Sequence, residues 1–548
     1  MRTKLIATIR SAVADRERLR QCLYLALILI GIGLRTWQFL ADTSLYIDEI
    51  AVAHDVLRTS AVDLLLHRLP EQIAPKGFLL ATKASISVFG PTDMALRLVA
   101  FVCSLISVVA FWRLAMRLPG WAGPLALALS DTALPLILFG SEVKQYSSDV
   151  LAALLLMLMT LRLAEQKQVP FKQLWLFATA GAALVWFSQA AVLVVAAQIA
   201  VLLWLWRGQP GRIADSVTVF VAWILSASAA AFVSAESVGP DVRPYLKQYW
   251  AAGFMPLSLD SFATTLWPWD RFMSLLGAAG PASLGLPLPA LAFALVVLGF
   301  VVLWRRQSLF AACLLAPIAA SMAAAILQQY PFSDRLVLFL MPALLLALAV
   351  GVDAARRFAS RFSRPLGLAI FALLAGTFLS PCISTPPPYH TEDMKLVLEY
   401  LRARRRPGDP VYAYYAAAPA TAWYGTRYGL GKNEYSVGGC HRGYPEMYFR
   451  ELDEFRGSPR LWVLITHARA DLEEREEILN YLDDIGTRSE QIVVDAHMPD
   501  GNQFPAAAYL YDLSKAPAIS VNPENDVERP TLSCLHGPQV MVRKHGLR

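Results

Sequence analysis

The chain has 548 residues, of which 56% are hydrophobic and 17% are charged, and its mean hydropathy is +0.44. Soluble domains carry roughly a quarter of charged residues, so much of this chain is expected to face lipid. The net charge of +6 is small for this length, and no basic stripe alternates with aromatic residues, which excludes a nucleic-acid-binding protein.

Apolar blocks separated by charged clusters predict about eleven membrane helices. Each span must pair its own backbone polar groups in hydrocarbon, which is why a bundle of separate helices is expected. The first span is interpreted as an anchor and not a cleaved signal peptide, because it is long and no clear cleavage site follows it. The predicted spans lie near 21–40, 95–116, 121–139, 149–165, 173–188, 189–206, 215–234, 281–304, 308–328, 335–352 and 365–382.

The short basic loops indicate the orientation of the chain. With the Arg- and Lys-rich N-terminal tail in the cytoplasm, every short basic loop falls on the same side. The N-terminus is therefore predicted to be cytoplasmic. An odd number of spans then places the C-terminal region outside the inner (plasma) membrane, in the periplasm or the extracellular space.

Two long outer segments, 41–94 and 235–280, interrupt the spans. In the first, residues 47–57 alternate apolar and polar positions as in a helix that lies at the membrane interface. In the second, tryptophan and tyrosine residues are typical of the headgroup region.

The composition changes after a proline run that ends at Pro388. Residues 1–388 are therefore predicted to form a membrane domain, and residues 389–548 a soluble extracytoplasmic α/β domain. Strands that alternate with helices indicate a small, partly parallel sheet. The predicted helices are 391–403 and 470–484, and the predicted strands are 410–415, 461–465, 490–495 and 506–512.

Six cysteines are present, and they show no metal-binding spacing. Cys440 and Cys534 share the outer C-terminal region, where a disulfide between them is compatible with an oxidising compartment.

An acidic pair, Asp48 and Glu49, follows the first span closely. Carboxylates at a membrane face handle protons, cations or metals, but acids also favour the first turn of a helix. Adjacent helical residues point about 100° apart, so the pair cannot form a matched dyad, whereas Asp48 and Asp55 share a face. In the catalytic interpretation, one carboxylate would act as a general base and another would hold a metal or an acceptor. Position alone favours neither the catalytic nor the capping interpretation.

Three further polar clusters lie next to spans. Lys76 either extends to the headgroups or binds a phosphate as a point charge. Arg335 either binds a phosphate through its planar guanidinium or pairs with Asp334 or a lipid. The third cluster, Glu142 to Asp149, either forms part of a site or caps the next helix with an ion pair.

Taken in order, these clusters resemble the GT-C fold membrane glycosyltransferases. The most similar are the family of the protein O-mannosyltransferases and the lipid A aminoarabinose transferase. The resemblance covers roughly residues 20–380. The matching segments are Tyr46-Ile47-Asp48-Glu49-Ile50-Ala51, Pro75-Lys76-Gly77-Phe78, Val88-Phe89-Gly90-Pro91 and Lys144-Gln145-Tyr146-Ser147-Ser148-Asp149. This chain has Gly77 where that family has proline, and Lys144 where arginine is more usual.

The resemblance implies an inverting transfer of a sugar from a polyprenyl-phosphate-linked donor to an extracytoplasmic acceptor hydroxyl, on a glycan, lipid or protein of the cell envelope. Asp48 would be the general base, with Glu49 beside it as a second catalytic carboxylate. Lys76, Lys144 and Arg335 would bind the donor phosphate. Residues expected to position acceptor or sugar are His54, Asp55, Glu142, Tyr146 and Asp149. A divalent cation, if used, would be held by Glu49, Glu142 and Asp149.

Two other functions remain open at this point. A transporter or flippase of lipid-linked sugars would bury charged sites near the bilayer midplane, often with internal repeats, but here the charged clusters gather at one face and no repeat is visible. A non-catalytic scaffold for envelope assembly would leave the outer acids as solvated surface.

Overall fold

The computed structural model describes residues 2–66, 74–237, 242–256, 262–277, 280–468, 473–498 and 504–517. The chain divides into two compact units. The membrane unit comprises Met1–Ala41, Val56–Val238 and Trp250–Pro388, and the second unit comprises Asp42–Asp55, Gly239–Tyr249 and Tyr389–Arg548.

The membrane unit is helical. Its helices are α1 (Arg2–Leu40), the end of α2 (Ile47–Arg58), α3 (Ala61–Leu66), α4 (Lys76–Phe89), α5 (Asp93–Ala115), α6 (Ala122–Thr132), α7 (Leu134–Leu138), α8 (Tyr146–Glu165), α9 (Phe171–Leu184), α10 (Ala191–Leu205), α11 (Pro210–Ser237), α13 (Phe262–Leu276), α14 (Pro289–Arg306), α15 (Ser308–Ile326), α16 (Met341–Ala359) and α17 (Arg364–Ser384); α12 (Val242–Tyr249) belongs to the second unit. Short 3-10 segments lie at Phe139–Ser141, Val185–Phe187, Ala251–Gly253 and Asp334–Leu340.

Within the described ranges, 8 helical segments are long and apolar enough to cross a membrane, and a bent pair of helices makes a ninth candidate. Two shorter apolar helical segments, Phe171–Phe187 and Ala191–Leu205, fill the remaining predicted positions. The predicted polytopic helical fold is therefore confirmed. The eight segments are Arg18–Leu40, Asp93–Ala115, Tyr146–Glu165, Pro210–Glu236, Pro289–Arg306, Ser308–Ile326, Asp334–Ala359 and Arg364–Ser384.

The predicted span 121–139 is not one helix, because it bends by 61° between α6 and α7. Pro135 has no N–H and cannot pair with the carbonyl of Asp131, four residues earlier. The guanidinium of Arg35 replaces the missing donors: Nη1 donates to the Asp131 carbonyl at 3.4 Å and Nη2 to the Ser130 carbonyl at 3.2 Å. A guanidinium in the first helix thus donates hydrogen bonds to the unpaired carbonyls at the C-terminal end of α6.

Arg35 is almost fully buried, at 3% exposure. Its Nε also donates to Ser104 Oγ at 3.0 Å. Its Nη1 lies 3.9 Å from a carboxylate oxygen of Asp131, and in the described part of the chain no donor hydrogen-bonds either carboxylate oxygen. The shorter contacts of Arg35 are therefore those to the backbone and to Ser104. A small cavity beside them is lined by Arg35, four serines and six apolar side chains.

We expect Arg35→Leu to lower the free energy of unfolding by about 2–5 kcal/mol, because two buried carbonyls and a buried carboxylate lose their partner. Asp131→Asn is expected to cost about 1 kcal/mol, since it leaves the donors of Arg35 in place. Thermal unfolding of the detergent-solubilised protein measures both. Arg113→Leu, at an exposed position on α5, is the control, with a change within about 0.5 kcal/mol. Equal losses for the Arg35 and Asp131 variants would instead assign the stability to the ion pair.

The second unit contains a five-stranded sheet of order β2-β1-β3-β5-β4. Strand β1 is parallel to β2 and β3, whereas β5 is antiparallel to β3 and β4. The predicted partly parallel sheet is therefore confirmed, although β2, with two residues, was not predicted. The strands are β1 (Val411–Ala413), β2 (Ser436–Val437), β3 (Leu461–Ile465), β4 (Thr487–Val494) and β5 (Ala506–Asp512). The helices with them are α18 (Met394–Arg404), α19 (Ala418–Tyr424), α20 (Pro445–Asp453) and α21 (Glu474–Ile485), with a 3-10 turn at Gly425–Tyr428.

Two smaller predictions concern helix α2 and the cysteines. The predicted helix at 47–57 is present as α2, but Ile50, Val52 and Ala53 are fully buried, so its apolar face packs inside the protein and not at a membrane interface.

Cys440 is disulfide-bonded. Its predicted partner, Cys534, lies outside the described residues.

Candidate active site

In the membrane unit, most of the predicted polar residues stand at or just before helix starts. Lys76 begins α4, Lys144 lies two residues before α8, and Tyr146 and Asp149 are in the first turn of α8; all four are buried. Arg335 is half-buried in the 3-10 segment that leads into α16. Glu142 is half-buried in the turn before α8.

The starts of α4 and α8 meet at the same short turn, Val185–Phe187. A Cβ atom on Gly77 would lie 2.7 Å from the carbonyl oxygen of Trp186, so this position admits no side chain without a shift of the backbone. Proline also carries a Cβ, which gives a physical reason for glycine at the position where the resembling family has proline. On the other side of the turn, Ser148 Oγ donates to the carbonyl of Phe187 at 2.6 Å.

The guanidinium of Arg335 lies near two aromatic rings. Its guanidinium carbon is 5.8 Å from the centroid of Tyr146 and 5.7 Å from that of Trp250. Contacts of this kind attract a cation to the ring faces and restrict its orientation. The preceding residue, Asp334, has φ +51°, a left-handed conformation that costs a non-glycine residue about 1–3 kcal/mol and is found most often at functional sites.

Tyr330 joins the same cluster and was not singled out from the sequence. Burial raises its pKa well above the ordinary value, and the nearby charges of Asp149 and Tyr146 act in the same direction. Its hydroxyl donates to the carbonyl of Leu336 at 2.8 Å, which ties the loop before α16 to the segment containing Arg335.

One buried carboxylate oxygen of Asp149, Oδ1, accepts no hydrogen bond from the described residues. Its carboxylate is hydrogen-bonded by Ser188, but no group in the described ranges donates to Oδ1, nor to Oε1 of the neighbouring Gln145. A buried acceptor without a donor costs about 1–3 kcal/mol. A ligand rich in hydroxyl groups would supply the missing donors.

In the second unit, Glu49 caps α2. Its Oε2 accepts the backbone N–H of Tyr46 at 2.9 Å, which is the return half of a capping box, and its side chain is buried, at 1% exposure. Asp48 is half-buried in the same first turn. The two adjacent carboxylates thus differ in their surroundings: Glu49 is buried and accepts a backbone hydrogen bond, whereas Asp48 is half-buried.

His54 and Asp55 lie two turns further along α2. The His54 ring is 5.4 Å from the ring of Trp423, and Asp55 is buried at 5% exposure. Both residues therefore belong, with Asp48 and Glu49, to the second unit.

Glu392, which sequence reasoning did not select, stands at the start of α2 as well. Its Oε1 accepts the backbone N–H of Ile47 at 3.2 Å, and its Oε2 accepts the hydroxyl of Thr466 at 2.6 Å. Nδ1 of His467 lies 4.0 Å from the same Oε2. Burial raises the pKa of Glu392 to about 7; the two hydrogen bonds lower it, and the charges of Asp48 and Glu49 raise it.

The raised pKa of Glu392 makes a testable contribution to stability. Because the folded state binds the proton more tightly than the unfolded state, this stabilisation is complete below pH 4.5 and is lost as the pH rises through about 7. Glu392→Gln cannot titrate. We therefore expect the difference in melting temperature, wild type minus variant, to fall between pH 4.5 and 7. A difference that stays constant over this window would contradict the assignment.

The predicted candidates for holding a divalent cation are Glu49, Glu142 and Asp149. Over the part of the chain that the structure describes, no group of three or more His, Cys, Asp or Glu side chains is arranged to hold a metal ion.

No protein-family model matches this sequence, and no curated protein matches it. Two solved structures of ArnT from Cupriavidus metallidurans do match. The structure in the apo state is 11% identical, covers 92% of this chain and 99% of ArnT, and has a TM-score of 0.43. The structure bound to undecaprenyl phosphate is 12% identical, covers 89% and 97%, and has a TM-score of 0.41. ArnT is the lipid A aminoarabinose transferase, a GT-C enzyme.

Proposed function

We propose that this protein is an inverting glycosyltransferase that moves a sugar from a polyprenyl-phosphate-linked donor to an acceptor hydroxyl. The observation that carries the proposal is the placement of Lys76, Lys144 and Arg335. These residues are far apart in sequence but stand at or just before helix starts. The starts of α4 and α8 both contact the turn Val185–Phe187. Arg335 contacts the ring of Tyr146 in the first turn of α8.

The three cations bind and stabilise the donor phosphate. Lys76 and Lys144 supply compact charges, and the guanidinium of Arg335 supplies several donors in one plane. Because the rings of Tyr146 and Trp250 restrict its orientation, that plane needs little reorganisation when the phosphate becomes a leaving group.

Asp48 acts as the general base. It takes the proton of the acceptor hydroxyl as that oxygen attacks the anomeric carbon from the face opposite the phosphate. One bond forms between the acceptor oxygen and C1, and the bond between C1 and the phosphate oxygen breaks. The electron pair leaves with the polyprenyl phosphate, and the configuration at C1 is inverted. Glu49 supports this step through the cap that it provides to α2.

Several residues orient the sugar or the acceptor. Asp149, with its open Oδ1, and Gln145 accept hydrogen bonds from hydroxyl groups of the bound sugar. Glu142 and Tyr146 flank them in sequence. His54 and Asp55, on α2, belong with Asp48 and contact the acceptor.

A lipid-linked donor agrees with the proposed orientation. Nucleotide sugars are cytoplasmic, so an active site on the extracytoplasmic side needs a sugar that its lipid carries across. With the N-terminus in the cytoplasm and residues 389–548 outside, the acceptor is a glycan, lipid or protein of the cell envelope.

Replacing the base tests the reaction. In proteoliposomes, Asp48→Asn is expected to lower the release of undecaprenyl phosphate from a panel of undecaprenyl-phosphate-linked sugars by about 10²–10⁴-fold, the usual contribution of a general base. Glu399→Gln, at an exposed position on α18, is the control and should transfer at the wild-type rate. Full transfer by a folded Asp48→Asn variant would remove Asp48 from the mechanism.

Replacing the cations tests the donor site independently of the chemistry. Lys76→Gln and Arg335→Gln are each expected to weaken the binding of undecaprenyl phosphate about 10- to 100-fold, since hydrogen bonds to charged groups contribute about 1.5–3 kcal/mol. Lys172→Gln, on the exposed start of α9, should leave affinity unchanged. Native mass spectrometry with the lipid as probe measures all three. Wild-type affinity in both site variants would place the phosphate elsewhere.

One observation favours a transporter of lipid-linked sugars. Discontinuous helices and buried charges are features of transport sites, and this chain has both at the bend between α6 and α7. The guanidinium of Arg35 is, however, directed to the carbonyls of that bend, which is a structural role. Translocation of a lipid-linked sugar across vesicles by the Asp48→Asn variant, with no transfer by the wild type, would favour the transporter.

A further inference from the structure

The segment that precedes α2 is anchored by residues from the C-terminal part of the chain. Ser44 Oγ donates to a carboxylate oxygen of Asp393 at 2.5 Å and accepts the backbone N–H of Lys395 at 2.8 Å. The N–H of Leu45 donates to the phenol oxygen of Tyr424 at 2.7 Å. All of these residues belong to the second unit, so this unit itself fixes the chain just before Asp48.

The anchoring begins at Asp42, where α1 has ended. Asp42 has φ +44°, and its carbonyl and carboxylate both contact Nζ of Lys395, at 2.7 and 3.1 Å. A left-handed non-glycine residue is kept only where its surroundings enforce it. Further along, the ring of Tyr46 meets the ring of His467 edge-on at 5.3 Å. Contacts therefore hold this segment along its whole length.

Among these contacts, that of Glu392 is made to a residue of α2, namely to the backbone N–H of Ile47. The first backbone N–H groups of a helix have no partner within it. Glu49 takes the N–H of Tyr46, and Glu392 takes that of Ile47, the residue directly before Asp48. Thr466, directly after β3, holds the other oxygen of Glu392, so the orientation of the first turn of α2 is linked to the sheet.

We propose that Glu392, in the C-terminal part of the chain, is a positioning residue for Asp48. This inference rests on the proposed function. By accepting the N–H of Ile47, Glu392 fixes the direction in which the next side chain leaves the helix. A displacement of about 1 Å in a reacting group lowers the rate about 100-fold, so a residue that never touches the substrate controls turnover.

The kinetic test compares two substitutions at the same position. Glu392→Ala removes the acceptor and is expected to lower kcat about 10- to 100-fold, with KM for the lipid-linked donor changed less than about 3-fold, because the cations that bind the phosphate belong to the other unit. Glu392→Gln keeps an acceptor for Ile47 and should recover most of the rate, to within about 3-fold of the wild type. Glu399→Ala, on the same stretch of chain but exposed, is the matched control.

Two kinetic outcomes would overturn the inference. One is a wild-type kcat in the Glu392→Ala variant. The other is a rise in KM for the acceptor with kcat unchanged, since that result would make Glu392 part of acceptor binding and not a positioning residue.

A second measurement does not depend on transfer. Amide hydrogen exchange of the peptide covering residues 44–50 should accelerate about 10-fold or more in Glu392→Ala, while exchange in strands β3 and β5 stays at the wild-type rate. Thr466→Val, which leaves the carboxylate in place but removes its hydroxyl donor, should accelerate the same peptide by a smaller factor. Unchanged exchange in both variants would overturn the inference even where the rates fall.

The two proposals fail in different ways. If Asp48→Asn transfers sugar at the wild-type rate, the proposed base is wrong whatever happens at Glu392. If Asp48→Asn is inactive, while Glu392→Ala transfers normally and exchanges normally, only the positioning role is wrong.

Discussion

Backbone groups that helices leave unpaired determine where this protein places its buried charges. In the membrane unit, the break before Pro135 frees the carbonyl of Asp131, and Arg35 supplies the donors. In the second unit, the first turn of α2 exposes N–H groups, and Glu49 and Glu392 supply the acceptors. The signs follow the helix dipole, with a cation at a carboxyl end and anions at an amino end.

The proposed chemistry uses the same arrangement. The proposed base, Asp48, needs a fixed orientation to take a proton. Its neighbours Glu49 and Glu392 each accept a backbone N–H group and thereby fix the first turn of α2. The cations proposed to bind the phosphate are oriented by close packing: the start of α4 lies against the Trp186 carbonyl at Gly77, and the guanidinium of Arg335 lies near two aromatic rings. Each functional group is thus oriented by a contact that involves no substrate.

Hydropathy predicted the membrane helices well, because the length of an apolar block is a local property of the sequence. The α/β character of the C-terminal part was also predictable, since β3 and β5 are continuous apolar runs that are buried almost throughout. The bend in the third predicted span was missed, although Pro135 was visible. Proline is tolerated within apolar segments when other groups satisfy the freed carbonyl, and that group, Arg35, lies 96 residues earlier.

The candidate site was predictable only where its residues form short motifs. Charged residues next to apolar spans are easily recognised in the sequence, and four site residues are of this kind: Asp48, Lys76, Lys144 and Arg335. Glu392 follows a proline run as one acid among several, and its importance comes from a contact across 345 residues. Gly77, which the sequence showed only as a departure from a family pattern, has a steric reason that appears once the turn at Trp186 is placed against it.

The partners of Arg35 have a consequence for how the protein is made. The first span is synthesised before the carbonyls of Ser130 and Asp131 exist, and an arginine without partners is costly within a membrane span. Until the bent helix pair is present, that guanidinium lacks these partners and is expected to stay near water or headgroups. We therefore expect the first helix to insert early and to reach its final packing only after α6 and α7 have formed beside it.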